Sequence, residues 1–299
     1  MNLRQYLHER AGLVEKVLSD YLPVLPAVAR QLERAMRYSV FAGGKRLRPI
    51  LTLASAEAVG SIPEAALPAA CALELIHTYS LIHDDLPAMD NDDWRRGKPT
   101  NHIVFGEAQA ILAGDALLTQ AFAVLSSRDH QVPLDAEKAL YVIQEIANAA
   151  GPMGMVGGQS VDISQEGTSK VQDAAEVLHY IHTHKTGAIL RAAARVGAIV
   201  AEATPEQLSA LTLYGEKLGL AFQICDDILD ATGDAELLGK PVKTDAEHQK
   251  LTYVTVHGLT EAKRMAISLA EEAVGALTNF TNAAEPLRAL AHFTVKRQH

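Results

Sequence analysis

The sequence predicts an all-α protein built as one helical domain. Three observations lead there. Alanine and leucine dominate, while aromatic residues make up only 5% of the chain. Alternating stretches of Val, Ile, Thr and Tyr, the period-two mark of a half-buried strand, are scarce. Long segments instead repeat apolar residues at the three-to-four spacing that lines one face of a helix.

Taken in order, this spacing predicts helices at 2–19, 26–40, 47–60, 64–84, 106–127, 135–150, 171–200, 205–230, 252–278 and 283–297. Asp135 and Pro205 stand at segment starts, and Gly or Pro near segment ends, as helix termini require. Segments 64–84 and 205–230 are apolar over much of their surface, which places them centrally in a bundle. The run Gly151 to Gly158 (GPMGMVGG) interrupts the helical pattern before Gln159. It lacks the preceding strand and the following GK[ST] of a phosphate loop, so it reads as a helix break or a close-packing site. No linker, repeat or abrupt composition change divides the chain, and residues 1–299 read as a single domain.

Composition excludes several classes. Net charge is −9, which gives no basic surface for a nucleic acid. The two cysteines, Cys71 and Cys225, lie in apolar segments; this is no disulfide framework and fits a reducing cytoplasm. The charged start, MNLRQYLHER, is unlike a signal peptide. No uninterrupted apolar run reaches the roughly 18 residues of a membrane span; the nearest, Gly187 to Ala203, contains Arg191 and Arg195.

Two acidic clusters carry the chemistry. One is Asp84-Asp85 followed by Asp90, Asp92 and Asp93; the other is Asp226-Asp227-Ile228-Leu229-Asp230. Each ends an apolar helical run. Asp226 and Asp230, four apart, share a helix face, where like charges repel unless a cation binds between them. Carboxylate oxygens without His or Cys suit a hard ion, chiefly Mg²⁺, which takes one or two carboxylates and leaves positions for phosphate. Pro87 ends the first helix near Asp84 or Asp85, so Asp90 comes from the following turn, a geometry that can curl three carboxylates round an ion.

Cations stand nearby in sequence. Gly43-Gly44-Lys45-Arg46-Leu47-Arg48-Pro49 precedes a helix, Arg95-Arg96-Gly97 follows the first acidic cluster, and Lys185-Thr186-Gly187 and Gly239-Lys240 come later. Arginine grips phosphate bidentately and lysine acts as a point charge. Arg95 and Arg96 serve either as phosphate donors or as neutralisers of the aspartates. His77 lies seven residues before Asp84, near the same helix face, and Gln223 lies three before Asp226.

These motifs resemble a known family. The run from Glu74 to Asp93 with Arg95 to Thr100, and the run from Leu220 to Asp230, closely resemble the two aspartate-rich regions of bacterial farnesyl diphosphate synthases, within the trans-polyprenyl diphosphate synthases. GGKRLRP, FGEAQAILAGDALLT, GGQSVDI, HTHKTGAIL and LGK follow the family order, over about residues 40 to 260. The resemblance implies an isoprenoid-synthase bundle around a deep central cavity, usually a homodimer. It implies Mg²⁺ on Asp84, Asp90 and Asp226, with Asp85, Asp227 and Asp230 supporting them. Lys45, Arg48, His77 and Arg96 would bind isopentenyl diphosphate. Arg95, Lys185, Thr186, Gln223 and Lys240 would serve the allylic diphosphate, with Lys185, Thr186 and Gln223 steadying the cation formed when it ionises.

The family analogy makes Tyr79, five before Asp84, the floor of the tail pocket and so favours a C15 product; helical period alone would choose Ser80. Two departures, Lys243 where the family often has Gly and Val254 where it often has Pro, mark the loop after Lys240 as unlike the pattern, and Lys250 is a further diphosphate candidate. The rival readings are a geranylgeranyl diphosphate synthase, a class I terpene cyclase and a non-catalytic partner subunit. The intact second DDxxD and GGKRLRP disfavour the cyclase, and the unbroken acidic and basic sets disfavour the inactive subunit.

Overall fold

The computed structural model describes residues 1–129, 134–165, 167, 172–232 and 250–296. Its order is α1 (Leu3–Tyr21), α2 (Arg30–Val40), α3 (Leu47–Val59), α4 (Pro63–Asp84), α5 (Asn101–Phe105), α6 (Glu107–Ser126), α7 (Ala136–Ala150) and α8 (Met155–Gln165). Then come α9 (Ala174–Ile181), a π-helical segment (His182–Gly187), α10 (Ala188–Val200), α11 (Pro205–Thr232), α12 (Tyr253–His257), α13 (Leu259–Ala276) and α14 (Glu285–Lys296). The strands among the described residues are β1 (Trp94–Arg95) and β2 (Lys98–Pro99), an antiparallel hairpin pairing Trp94 with Pro99. The all-α expectation holds.

Local chemistry explains the boundaries. The Asn2 side chain accepts from the Gln5 N–H to open α1, and Asp135 accepts from Lys138 N–H to open α7. Pro63 occupies the first turn of α4, where its missing N–H has no partner to lose. Gly60, at φ 110°, closes α3 in the left-handed conformation.

Three expected elements differ. The segment expected at 252–278 divides at Gly258, whose φ of 81° ends α12 and starts α13. The segment expected at 171–200 is helical from Ala174, with the π segment inserted between α9 and α10. The glycine-rich run breaks the chain only at 151–154; Gly157 and Gly158 lie inside α8, a helix the apolar pattern did not reveal.

The core is centred on α4, α10 and α11. Helix α4 packs against α3, α6 and α10, while α11 packs against α10 and α13. Ala69 to Leu73, Leu75 and Ile76 are fully buried, as a central helix requires. The buried Tyr214 hydroxyl donates to the Leu287 carbonyl at 2.7 Å and ties α11 to α14. Cys71 and Cys225 are both buried, and no disulfide joins them. By length and composition α4 and α6 are each apolar enough to cross a membrane, so the run-based expectation undercounts them; 78% of the apolar window in α4 is buried inside the protein.

Candidate active site

Helix α4 ends at Asp84, and the chain then folds back so that Asp90 N–H donates to the Asp84 carbonyl at 2.8 Å. The proline-driven stop and the turn-borne Asp90 are as expected. The three carboxylates nevertheless point to different partners. Asp84 accepts from Gln159 Nε2 at 3.0 Å and lines a cavity of about 500 Å³. Asp85 is buried and accepts from Arg95 Nε at 2.6 Å, in a much smaller hollow that shares Leu81 with that cavity. Asp90 pairs with Lys250 Nζ at 3.2 Å.

The three carboxylates expected to curl round one ion thus each hold a different partner in this structure. Successive helical residues diverge by about 100°, so Asp85 cannot follow Asp84 into the cavity. Among the described residues no group of three His, Cys, Asp or Glu side chains converges as a ready-made cage.

The second cluster ends α11. Asp227 is buried and accepts from the Tyr253 N–H at 2.7 Å, which anchors the start of α12, and from Gln223 Nε2 at 3.3 Å. His182 Nε2 lies 3.7 Å from the same carboxylate, with its ring stacked on Tyr253. Asp230 is buried, whereas Asp226 is half-buried one helical step from Asp227.

The π segment connects the two clusters. Thr186 and Lys185 line the same cavity as Asp84. The Thr186 hydroxyl donates to Gln223 Oε1 at 2.8 Å, on α11 one turn before Asp226. Lys185 Nζ pairs with Asp162 at 2.5 Å. Gly158 permits this arrangement: a Cβ there would stand 2.2 Å from the Lys185 backbone nitrogen. The glycine-rich stretch is thus a close-packing site as well as a break.

A second cavity of about 610 Å³ is lined by Lys45, Arg48, His77 and Arg96, the four residues grouped from sequence as one diphosphate set. Arg48 and His77 line both cavities and stand where they adjoin. Arg96, at φ 53°, donates to the Gly43 carbonyl. Arg46 behaves differently from its neighbours: it is buried and bonded to Glu74 at 2.7 Å and to the Val40 carbonyl at 2.6 Å. Tyr79 and Ser80 both line the first cavity, so the tail-pocket choice between them is not exclusive. Lys240 and Lys243 lie outside the described residues.

Burial sets the charge states. It pushes the Asp84 carboxyl up to about 6, with Lys185 opposing and Asp90 adding to the shift. It pushes Asp85 up as well, against the pull of Arg95. Burial, reinforced by Arg48 and Arg96, holds His77 well below the usual histidine range, so its ring is neutral. Burial lowers Arg48 to about 10, with Glu74 opposing.

Sequence reasoning gave no role to Gln159 or Asp162, which touch Asp84 and Lys185. Both sit in the GGQSVDI run, where polar side chains three apart on a glycine-bearing helix were the available signal. Phe222, within the second aspartate-rich motif but given no role there, and the α14 residues Leu290, Phe293 and Thr294, which carried no motif, wall the second cavity.

The family model described as Polyprenyl synthetase matches residues 29–289. The chain belongs to the polyprenyl synthetase family. Members of this family are trans-prenyltransferases that generally depend on a divalent metal, and the chain is an enzyme of that type. It is 48% identical over 298 residues to a geranylgeranyl diphosphate synthase of Cyanophora paradoxa, covering 100% of this chain and 97% of that one. It is 50% identical over 264 residues to a farnesyl diphosphate synthase of Geobacillus stearothermophilus, covering 88% of this chain and 87% of that one. A crystal structure of an FPP/GFPP synthase from Zymomonas mobilis superposes with a TM-score of 0.87 at 38% identity, covering 98% of this chain and 99% of that one. This polyprenyl synthetase thus has relatives named for different product lengths.

Proposed function

We propose that this polyprenyl synthetase condenses isopentenyl diphosphate with dimethylallyl or geranyl diphosphate to give farnesyl diphosphate and diphosphate. The observation that carries the reading is the pair of adjoining cavities. One is walled by Lys45, Arg48, His77 and Arg96; the other combines Asp84, Lys185 and Thr186 with the apolar side chains of Leu81, Met89, Met155 and Val156 beside Tyr79. Two anionic substrates, one with a greasy tail, fit that division.

The donor chemistry fits magnesium. Asp84, Asp90 and Asp226 offer hard oxygens, and one or two carboxylates suffice per ion when diphosphate supplies further ligands. The raised Asp84 carboxyl is an anion held out of water that a cation would relieve. Bound there, the metal supplies Lewis-acid stabilisation of negative charge on the leaving diphosphate. Asp85, Asp227 and Asp230 take supporting places, because Asp85 and Asp227 already hold Arg95 and α12.

The chain's own residues do the rest. Arg95, Lys185, Gln223 and Lys240 receive the allylic diphosphate as the bond between its oxygen and C1 breaks and the electron pair leaves with it. The Thr186 and Gln223 dipoles, fixed against each other at 2.8 Å, face the resulting allylic cation. Isopentenyl diphosphate, held by Lys45, Arg48, Arg96 and neutral His77, presents its alkene. The new carbon–carbon bond forms, and the proton lost passes to the departed diphosphate, so no dedicated base is required.

Tyr79 supports a C15 product, because its ring stands in the wall of the tail cavity. A C20 product is the second reading, favoured by the Cyanophora paradoxa relative. The same reading takes residues 1–299 as one catalytic domain of a cytoplasmic homodimer, which light scattering of the purified chain checks. The deciding assay supplies isopentenyl diphosphate, each allylic diphosphate and Mg²⁺, and measures chain length. Farnesyl diphosphate is expected; no condensation overturns the assignment.

A further inference from the structure

Helix α6 carries a glycine in its interior, where that residue is disfavoured relative to alanine. Gly114 is buried, and it faces the His83 ring on α4. A Cβ at position 114 would stand 2.1 Å from His83 Nε2 and 2.5 Å from its Cδ2. The imidazole therefore rests in a notch that only glycine leaves. His83 Nε2 also lies 3.1 Å from the Ile111 carbonyl and 3.9 Å from the Asp115 carboxylate, which hold the ring against α6. The ring also meets Tyr79, one turn back on α4, edge to face, with centroids 5.7 Å apart. His83, Tyr79 and Asp84 all line the tail cavity.

We infer that Gly114 positions His83 as part of the product-length wall: the notch in α6 parks the imidazole between Asp84 and Tyr79 and so sets the room left for the tail beside Tyr79. This rests on the chain-elongation reading above. His83 is the specificity-determining residue, and Gly114 acts through it. A methyl at 114 blocks the α6 side, so the ring must swing toward Tyr79 and the cavity. Removing the ring opens space between α4 and α6.

The test compares wild type, Gly114→Ala, His83→Ala and the double variant, reading product lengths by mass spectrometry with isopentenyl and geranyl diphosphate. Gly114→Ala should shift the ratio of longer to shorter products down at least about threefold. His83→Ala should shift it up by a similar factor. The double variant should follow His83→Ala, because the added methyl then has no ring to displace. Loss of the notch as mere helix packing would lower stability without this reversal. If Gly114→Ala does not fold, His83→Ala alone decides. Wild-type condensation with unchanged product lengths in His83→Ala overturns this inference alone; a wild type that makes no prenyl chain overturns the elongation reading and this inference with it.

Discussion

Thr186 and Gln223, 37 residues apart in the chain, are joined by a hydrogen bond of 2.8 Å that fixes the π segment against α11. A π-helical turn projects its side chains differently from an α-helix, and such turns are frequent at functional sites. Here it brings Lys185 and Thr186 to the cavity of Asp84 while leaving Thr186 within reach of the helix that bears Asp226.

Replacing Thr186 by Val keeps the shape and deletes the donor. A single hydrogen bond contributes about 0.5–1.5 kcal/mol net, so kcat should fall roughly twofold to twelvefold. Gln223→Leu should fall further, because it also frees Asp227 of one donor. Steady-state kinetics with a linked diphosphate assay measures both; an unchanged kcat in each would separate this pair from the chemistry.

Asp84→Ala and Asp226→Ala should each reduce turnover by about 10²-fold or more, since each removes electrostatic stabilisation aimed at the leaving group. Circular dichroism should show intact helices in both. Near-normal turnover in both would count decisively against the carboxylates as the metal site.

Tyr79→Ala removes a large side chain from the tail-cavity wall. The expected product is longer than that of the wild type, with C20 rising over C15. Mass spectrometry of the hydrolysed products reads it, and an unchanged distribution would remove Tyr79 from the wall's function.

His77 gives a pH signature. Its folded-state value lies well below the ordinary 6.5, so the unfolded chain binds the proton more readily than the fold does. Stability from this group is complete above about pH 6.5 and is lost progressively as pH falls below it toward the folded value. Urea unfolding at pH 7.5 and pH 5 should show a smaller loss in His77→Gln than in wild type. An equal loss in both would assign the acid sensitivity to other groups.

Much of the architecture was readable without coordinates. Apolar spacing placed α4 and α11 at the centre, and Pro87 marked the end of α4 beside Asp84, because both are properties of local backbone and of one helix face. The grouping of Lys45, Arg48, His77 and Arg96 came from the family resemblance of their motifs, and these four side chains line the second cavity. Helix α8 was not, since its glycines read as a break when judged locally; they serve an approach to a segment more than twenty residues on.

The sequence by itself determined the long central helices, the order of the acidic and basic motifs, and the turn that returns Asp90 to the end of α4. These depend on neighbours within a few residues, where helical period and proline sterics act. Tertiary structure alone decided which carboxylate faces the cavity and which is claimed by Arg95, that Tyr79 shares the wall with Ser80, and that Gly158 admits Lys185. Those outcomes turn on what stands opposite each side chain, and periodicity along one helix carries no information about the helix packed against it.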